Sequence, residues 1–254
     1  MKPKTIVTML ALPSLLATGH LSAATITTDV TYSTDTTITD YIFISSSTPI
    51  TLTAENSSTV TFTNGGSGND GRFFVAIGDQ LDNSSTTLNL TGNGSFNLVS
   101  PAYDQIARFG HSTGSVVATI NLDGGVTLNI GTGTTHPLSY SGGTNTININ
   151  DGTLSFANLG GFWNQGGSML YNVGADGAFV VPAAITSTAE YATWANGIGG
   201  GSQTLALASG LTGYELVFTP DGGNTIVTAN LVPEPSGAML ASLGGLLMFL
   251  RRRR

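Results

Sequence analysis

The chain contains no cysteine and carries little charge along its 254 residues. Asp, Glu, Lys and Arg make up 9% of it, against about 25% in a typical soluble domain. Without cysteine the chain has no disulfides, no thiolate metal ligands and no cysteine nucleophile. Six of its eight Lys and Arg residues lie at the two ends, which leaves only Arg72 and Arg108 between them. Because nucleic-acid binding needs basic side chains that replace phosphate counterions, we expect no nucleic-acid partner.

The body between the two ends is acidic. Residues 25–231 contain 14 acidic residues and two basic ones, a net charge of −12. A charge of this size keeps a protein soluble and makes anionic surfaces repel it.

The segment from Met1 to Ala24 has the pattern of a secretory signal peptide. Lys2 and Lys4 precede an apolar stretch from Ile6 to Ala17, and Ser22-Ala23-Ala24 places small residues where signal peptidase cleaves. We predict export through the Sec translocon and cleavage by signal peptidase after Ala24, with Ala23 as the alternative position. An uncleaved anchor is the alternative, although the apolar stretch is short for a membrane span of about 20 residues.

Residues 232–254 combine a proline-flanked acid, an apolar segment and a basic tail. Pro233-Glu234-Pro235 precedes the fifteen uncharged residues from Ser236 to Leu250, and the chain ends with Arg251, Arg252, Arg253 and Arg254. As a helix, the apolar segment would span ~22 Å of a hydrocarbon core that is ~30 Å thick. We therefore predict a short transmembrane helix whose arginines stay on the cytoplasmic side. The prolines favour an extended, accessible segment at the outer face.

In this order and position, the three features resemble the PEP-CTERM sorting signal of Gram-negative bacteria that make extracellular polysaccharide. The resemblance covers only the segment from Val232 to Arg254. It implies that an exosortase-like membrane protease recognises Pro233, Glu234 and Pro235 and removes the tail. It also implies that Arg251 to Arg254 retain the precursor in the inner membrane until the protein passes to the cell surface or extracellular matrix. A single-span anchor that is never cleaved is the alternative.

The body repeats a pattern of short alternating segments. Leu88-Asn89-Leu90 and Phe96-Asn97-Leu98 recur at one common offset as Ile120-Asn121-Leu122 and Leu128-Asn129-Ile130. Weaker copies are Ile50-Thr51-Leu52 with Val60-Thr61-Phe62, and Ile147-Asn148-Ile149 with Leu154-Ser155-Phe156. Each unit consists of two short strands in which apolar residues alternate with Asn, Thr or Ser, separated by a Gly or Asn turn.

Two all-β architectures could bury such units. One is a parallel β-solenoid, similar to a β-helix, in which each unit stacks on the next. The other is an antiparallel β-sandwich or jelly roll built from hairpins. The repeated Asn positions favour the solenoid, because like residues could stack there in ladders. The offset between the first strands of successive units is irregular, since it shortens at each step along Ile50, Leu88, Ile120 and Ile147, and the antiparallel alternative stays open.

The repeat is no longer recognisable after Phe156, and we treat residues 25–231 as one extracytoplasmic domain rich in Ser, Thr, Asn and Gly. A short helix is predicted within Ala183 to Ala195. A hairpin is predicted from Tyr214 to Phe218 and from Thr225 to Thr228, with its turn at residues 220–224.

Trp163 and Trp194 are the candidate ligand contacts, because exposed aromatic rings can stack on sugars. The acidic residues in or near the repeat loops are Asp79, Asp82, Asp104 and Asp123. Two carboxylates at a suitable separation could hydrolyse a glycoside. The repeat, however, aligns Asp79 with His111 and Asp123 with Thr91, so it does not pair acid with acid. We predict no catalytic residues, no metal site and no cofactor.

Taken together, the sequence predicts a non-enzymatic protein of the bacterial surface or extracellular matrix. Its expected partners are the Sec translocon, signal peptidase, an exosortase-like protease and extracellular polysaccharide. A carbohydrate-binding adhesin that uses Trp163 and Trp194 is one alternative, and a β-helix polysaccharide lyase or hydrolase is another.

Overall fold

The structure, a computed structural model, describes residues 24–39, 42–44, 46–63, 75–77, 85–99, 107–110, 116–131, 138–141, 143–157, 162–199 and 201–233. Within these residues the chain passes through three β-sheets in turn, and successive passages pair in parallel. We call one passage through the three sheets a rung.

The strands, numbered in chain order, belong to three sheets. The first sheet contains β1 (Ala24–Ile26), β4 (Ile42–Ile44), β7 (Val75–Ile77), β10 (Ala107–Phe109), β13 (Leu138–Ser141) and β16 (Phe162–Gln165). The second contains β2 (Val30–Tyr32), β5 (Ile50–Ala54), β8 (Thr86–Gly92), β11 (Ala118–Leu122), β14 (Thr144–Ile149), β17 (Ser168–Val173) and β19 (Ser202–Leu207). The third contains β3 (Thr36–Ile38), β6 (Thr59–Thr63), β9 (Ser95–Val99), β12 (Thr127–Ile130), β15 (Thr153–Phe156), β18 (Ala178–Val181), β21 (Asn224–Leu231) and β20 (Tyr214–Asp221). A single described helix, α1 (Thr188–Gly197), lies between β18 and β19.

The strand register confirms the repeat read from the sequence. Leu88 pairs with Ile120, and Phe96 pairs with Leu128. The weaker copies are in the same register, since Ile50 lies opposite Leu88 and Ile147 lies opposite Ile120. Among the described strands, antiparallel pairing is confined to β18, β21 and β20.

Each unit has three strands, so the prediction of two strands per unit was wrong. The additional strand belongs to the first sheet, whose described members are only three or four residues long. A strand of that length offers too few residues to display a period of two. The predicted pairs are the strands of the second and third sheets.

The repeat also continues beyond Phe156, which corrects the prediction that it ends there. β17 pairs with β14 over six residues, and β18 pairs with β15. The rung becomes shorter again at this point, because Tyr171 follows its partner Ile147 more closely in the chain than Ile147 follows Ile120. Tyr171 and Phe179 replace Ile147 and Leu154 of the preceding rung, and both are fully buried.

The interior between the sheets is apolar. In β5, β8, β11 and β14 every second residue is buried, and the buried side chains are mainly Ile and Leu. A side chain of this size contributes roughly 1.5–3 kcal/mol when it is fully buried. The remaining residues of each strand face outward, which determines the chemistry of the outer surface.

The C-terminal end of the rungs is covered by the predicted helix and hairpin. Ser187 caps α1 by accepting a hydrogen bond from the Glu190 amide. The Glu190 carboxylate accepts a hydrogen bond from the Thr186 amide at 2.6 Å, one residue before the position that it takes in a capping box. Tyr191 of α1 is fully buried and its ring meets those of Tyr171 and Phe179 at 6.0 and 5.8 Å. The predicted hairpin is confirmed as β20 and β21, which joins the third sheet through β18.

The N-terminal end is formed by β1, β2 and β3, each at the margin of its sheet. The inward side chains of this first rung, among them Val30, Tyr32 and Ile38, are only half-buried. Asp29 and Asp35 tie the rung to the next one by accepting hydrogen bonds from the amides of Thr51 and Thr59, both at 2.8 Å. Burial raises the pKa of the Tyr32 hydroxyl.

Among the described residues, no helix is long and apolar enough to cross a membrane. The predicted membrane helix, Ser236 to Leu250, lies outside the described residues, as do residues 1–23 of the predicted signal peptide. Both stay predictions.

Candidate binding surface

A row of asparagines crosses the outer face of the second sheet. The Nδ2 atom of Asn121 donates to Oδ1 of Asn89 at 2.7 Å, that of Asn148 to Asn121 at 2.7 Å, and that of Asn172 to Asn148 at 2.8 Å. The residues before and after each of these asparagines are buried. Because side chains alternate between the two faces of a strand, the parallel register places the four amides in one continuous ladder on the outside.

The ladder leaves part of each amide available. A carboxamide has two donor hydrogens and two acceptor lone pairs, and a ladder contact on each side uses one of each at Asn121 and Asn148. These side chains are half-buried. At each of these two residues, one N–H group and one acceptor position are left unused by the ladder, so water or a ligand can bind there.

A row of threonines runs beside the ladder, two residues earlier in each strand. Thr87, Thr119 and Thr146 lie opposite one another in register, and all three are half-buried. Within the described part of the chain, their hydroxyls make no hydrogen bond. The row ends at Leu170, which lies opposite Thr146.

The ladder and this row together form what we call the ladder face, which consists of Asn89, Asn121, Asn148, Asn172, Thr87, Thr119 and Thr146. On the far side of the ladder, the hydroxyls of Thr53 and Thr91 are 3.0 Å apart and bonded to each other. That pair is satisfied internally, whereas the threonines of the ladder face are available to a ligand.

The ladder face carries no charge. Its strands, β8, β11, β14 and β17, and the neighbouring β5 contain no Asp, Glu, Lys or Arg. The carboxylates that follow β11 and β14 are engaged at the corner towards the third sheet. Asp123 accepts a hydrogen bond from Nδ2 of Asn150 at 2.8 Å, and Asp151 accepts one from the Gly124 amide at 2.6 Å.

The outer face of the third sheet has a shorter version of this arrangement. Asn129 donates to Asn97 at 2.7 Å, but the next residues in the row are Ser155 and then Val180. The amide ladder there has two members, against four on the second sheet.

Trp194, one of the two predicted sugar contacts, lies on α1 at the C-terminal end of the rungs. Its ring is half-buried and packs edge-on against Phe162 at 6.0 Å and tilted against Tyr191 at 5.8 Å. These contacts make the indole part of the packing that covers the core.

Trp163, the other predicted contact, lies in β16, where its backbone pairs with Ser139. Its side chain lies outside what the structure describes. It follows Phe162, which is buried. Trp163 and Trp194 therefore belong to different elements. Phe162 precedes Trp163 in β16 and packs against Trp194 of α1. Neither tryptophan lies on a strand of the ladder face.

The residues predicted for export and sorting lie at the two ends of the described chain. Ala24 begins β1 and pairs with Ile42. Pro233 is exposed and follows Val232, the first residue after β21. The Val232 amide donates to the Gly213 carbonyl at 2.7 Å. Glu234, Pro235 and Arg251, Arg252, Arg253 and Arg254 lie outside the described residues.

The acidic residues considered for catalysis are not brought together in the described part of the chain. Asp79, Asp82 and Asp104 lie outside the described residues, and Asp123 is held at the corner by Asn150. Across the ranges that the structure describes, no three His, Asp or Glu side chains are close enough to hold a metal ion.

Sequence reasoning anticipated the ladder but missed part of it. The offsets of the repeat align Asn89, Asn121 and Asn148, which was the available signal. Asn172 was missed because its strand reads Leu170-Tyr171-Asn172, without the aliphatic and Thr pattern of earlier rungs. No protein-family model, curated protein or solved structure matches the chain.

Proposed function

We propose that this chain is an exported β-solenoid protein with a non-enzymatic, structural or adhesive role at a bacterial surface or in its extracellular polysaccharide matrix. The stacked rungs supply a rigid body with a continuous apolar interior. The predicted signal peptide supplies export through the Sec translocon and signal peptidase. The PEP-CTERM-like tail supplies a temporary inner-membrane anchor that an exosortase-like protease removes.

The observation that carries this proposal is the chemistry of the outer surface. Rows of Asn, Thr and Ser cross the rungs, while most charged residues of the described part of the chain lie between strands, among them Asp29, Asp123 and Asp151. A cavity in the core is lined by apolar side chains, among them Leu52, Phe62 and Leu90. A long, regular and neutral polar surface suits lateral contact with a hydrated polymer better than it suits catalysis.

The sorting step is tested by Glu234→Ala in the native host. If the acidic residue between the prolines is recognised by a protease, the variant should be exported and inserted in the membrane but should keep its tail. Mass spectrometry of the protein should find the full C-terminus in the inner-membrane fraction, whereas the wild type should end before Phe249 and be located in the surface or matrix fraction. Equal mass and equal location of variant and wild type would contradict the sorting proposal.

The matched control replaces Arg251 to Arg254 with serine. These residues are expected to retain the tail in the membrane, because arginines after a short span stay on the cytoplasmic side. Full-length protein should then appear in the periplasm, which is a different outcome from that of Glu234→Ala. Neither change alters residues 25–231.

A further inference from the structure

We propose that the ladder face binds a neutral polysaccharide in an extended conformation, with the glycan running across the strands along the Asn ladder. This inference rests on the proposed function and names the surface that would hold the protein in its matrix. Sugars offer a donor and an acceptor at each free hydroxyl group, and the ladder face offers the same pair at each rung.

The first argument is the supply of unpaired polar groups. On each of three successive rungs, a threonine hydroxyl without a partner in the described chain lies beside an asparagine amide with spare capacity. Adjacent strands are about 4.8 Å apart and residues on one face of a strand about 6.7 Å apart. A sugar ring is similar in length to one strand spacing, so consecutive rings of an extended glycan can meet consecutive rungs.

The second argument is charge. The strands of the ladder face carry no charge, while residues 25–231 have a net charge of −12. A polyanionic glycan would be repelled by the body and would find no basic side chain on this face. A neutral glycan meets neither obstacle, and it suffers no loss of ion hydration when it binds.

The third argument separates this face from the third sheet. There the amide ladder stops after Asn97 and Asn129, and the row continues with Ser155, Val180 and Ile226. A glycan laid along the third sheet would meet amides at only two rungs, flanked by the single hydroxyls of Thr61 and Ser155. The four-membered ladder of the second sheet is the longest uninterrupted one among the described residues.

The test is affinity electrophoresis of the exported protein, purified from its host, in native gels that contain hydroxyethyl cellulose as a neutral extended glycan or alginate as a polyanionic one. Hydroxyethyl cellulose should retard the wild type and alginate should not. The double variant Thr119→Val/Thr146→Val keeps the β-branched shape and removes two hydroxyls. Its affinity should fall about tenfold, as the loss of two hydrogen bonds implies.

Two control variants make the result specific. Thr127→Val/Thr153→Val makes the same change on the third sheet, where the two residues pair in register, and it should bind like the wild type. Thr119→Ser/Thr146→Ser keeps the hydroxyls and removes the methyl groups, and it should also retain binding. Unchanged thermal unfolding of all three variants would confirm that they are folded.

The inference is overturned if hydroxyethyl cellulose does not retard the wild type, if alginate retards it equally, or if either control loses as much affinity as Thr119→Val/Thr146→Val. These failures differ from a failure of the proposed function. A protein that is found in the matrix fraction but ignores neutral glycan contradicts only the binding surface. A protein that is never found at the surface or in the matrix contradicts the proposed function itself.

Discussion

At the scale of single residues, the stacking of rungs is limited by how closely two backbones can approach. Gly92 lies opposite Ala54 of the preceding rung and has a φ of 100°. A Cβ atom at Gly92 would lie 2.1 Å from the Ala54 carbonyl oxygen, which is far inside van der Waals contact. Glycine is required here both by the backbone conformation and by the neighbouring rung.

We predict that Gly92→Ala lowers the free energy of unfolding by about 3–4 kcal/mol, because a backbone clash adds to the strain of a left-handed conformation. Gly125→Ala is the matched control. Gly125 also has a positive φ, 81°, but a Cβ atom there would meet nothing within 4 Å. Its cost should be only the conformational one, about 1–2 kcal/mol. Chemical denaturation measures both, and equal costs would show that close approach between rungs does not limit stability.

At the scale of elements, the sequence predicts those strands that are long enough to show alternation. The strands that carry Leu88 to Leu90 and Ile120 to Leu122 alternate over at least five residues, and their pairing followed from the offset. The strands of the first sheet do not alternate for long enough. The number of residues between a strand of the second sheet and the next strand of the third sheet is nearly constant. Phe96, for example, follows Leu88 at the same distance in the chain as Leu128 follows Ile120. The irregular offsets therefore arise in the rest of each rung.

The candidate site was predictable to a similar degree. An Asn at equal offsets implies a ladder once the strands are parallel, and the sequence alone supports that step. Which threonine hydroxyls are already paired depends on neighbouring strands, so the difference between Thr53 and Thr119 needed the three-dimensional structure. The packing of Trp194 on Phe162 also depends on how α1 lies across the rungs, which no local pattern encodes.

A buried hydrogen bond joins α1 to β19, and its contribution to stability can be predicted. The hydroxyl of Tyr191 donates to Oε1 of Gln203 at 2.8 Å, and both side chains are buried. Within the described chain, Nε2 of Gln203 has no hydrogen-bonding partner. Tyr191→Phe should therefore lower the free energy of unfolding by about 1–2 kcal/mol, since it leaves a buried amide with neither end satisfied.

The double variant Tyr191→Phe/Gln203→Leu should recover most of that loss, because replacing both partners with apolar groups removes the unsatisfied amide. Thermal and chemical unfolding of the single and double variants form a mutant cycle. A double variant that is less stable than Tyr191→Phe would show that Gln203 contributes to the cover of the core in another way.

At the scale of the whole molecule, the rungs form a nearly one-dimensional stack in which each contacts mainly its neighbours. Its two ends are built differently. The C-terminal end is covered by α1, β20 and β21, with Tyr191 fully buried. The N-terminal end consists of three-residue strands with half-buried inward side chains, held to the next rung by Asp29 and Asp35.

We predict that the exported protein opens locally from its N-terminal end. Amides of residues 26–39 should exchange with solvent at least about tenfold faster than those of β11, β12 and β14, which are flanked by rungs on both sides, since local opening at the first rung needs less free energy than global unfolding. Hydrogen exchange read by mass spectrometry measures this directly. Asp35→Asn weakens the charge-assisted hydrogen bond to the Thr59 amide, so it should accelerate exchange in the first rung while β14 exchanges as before. Equal protection along the chain would mean that all the rungs open together. The first rung would then open at the same free energy as the inner rungs, which contradicts the prediction.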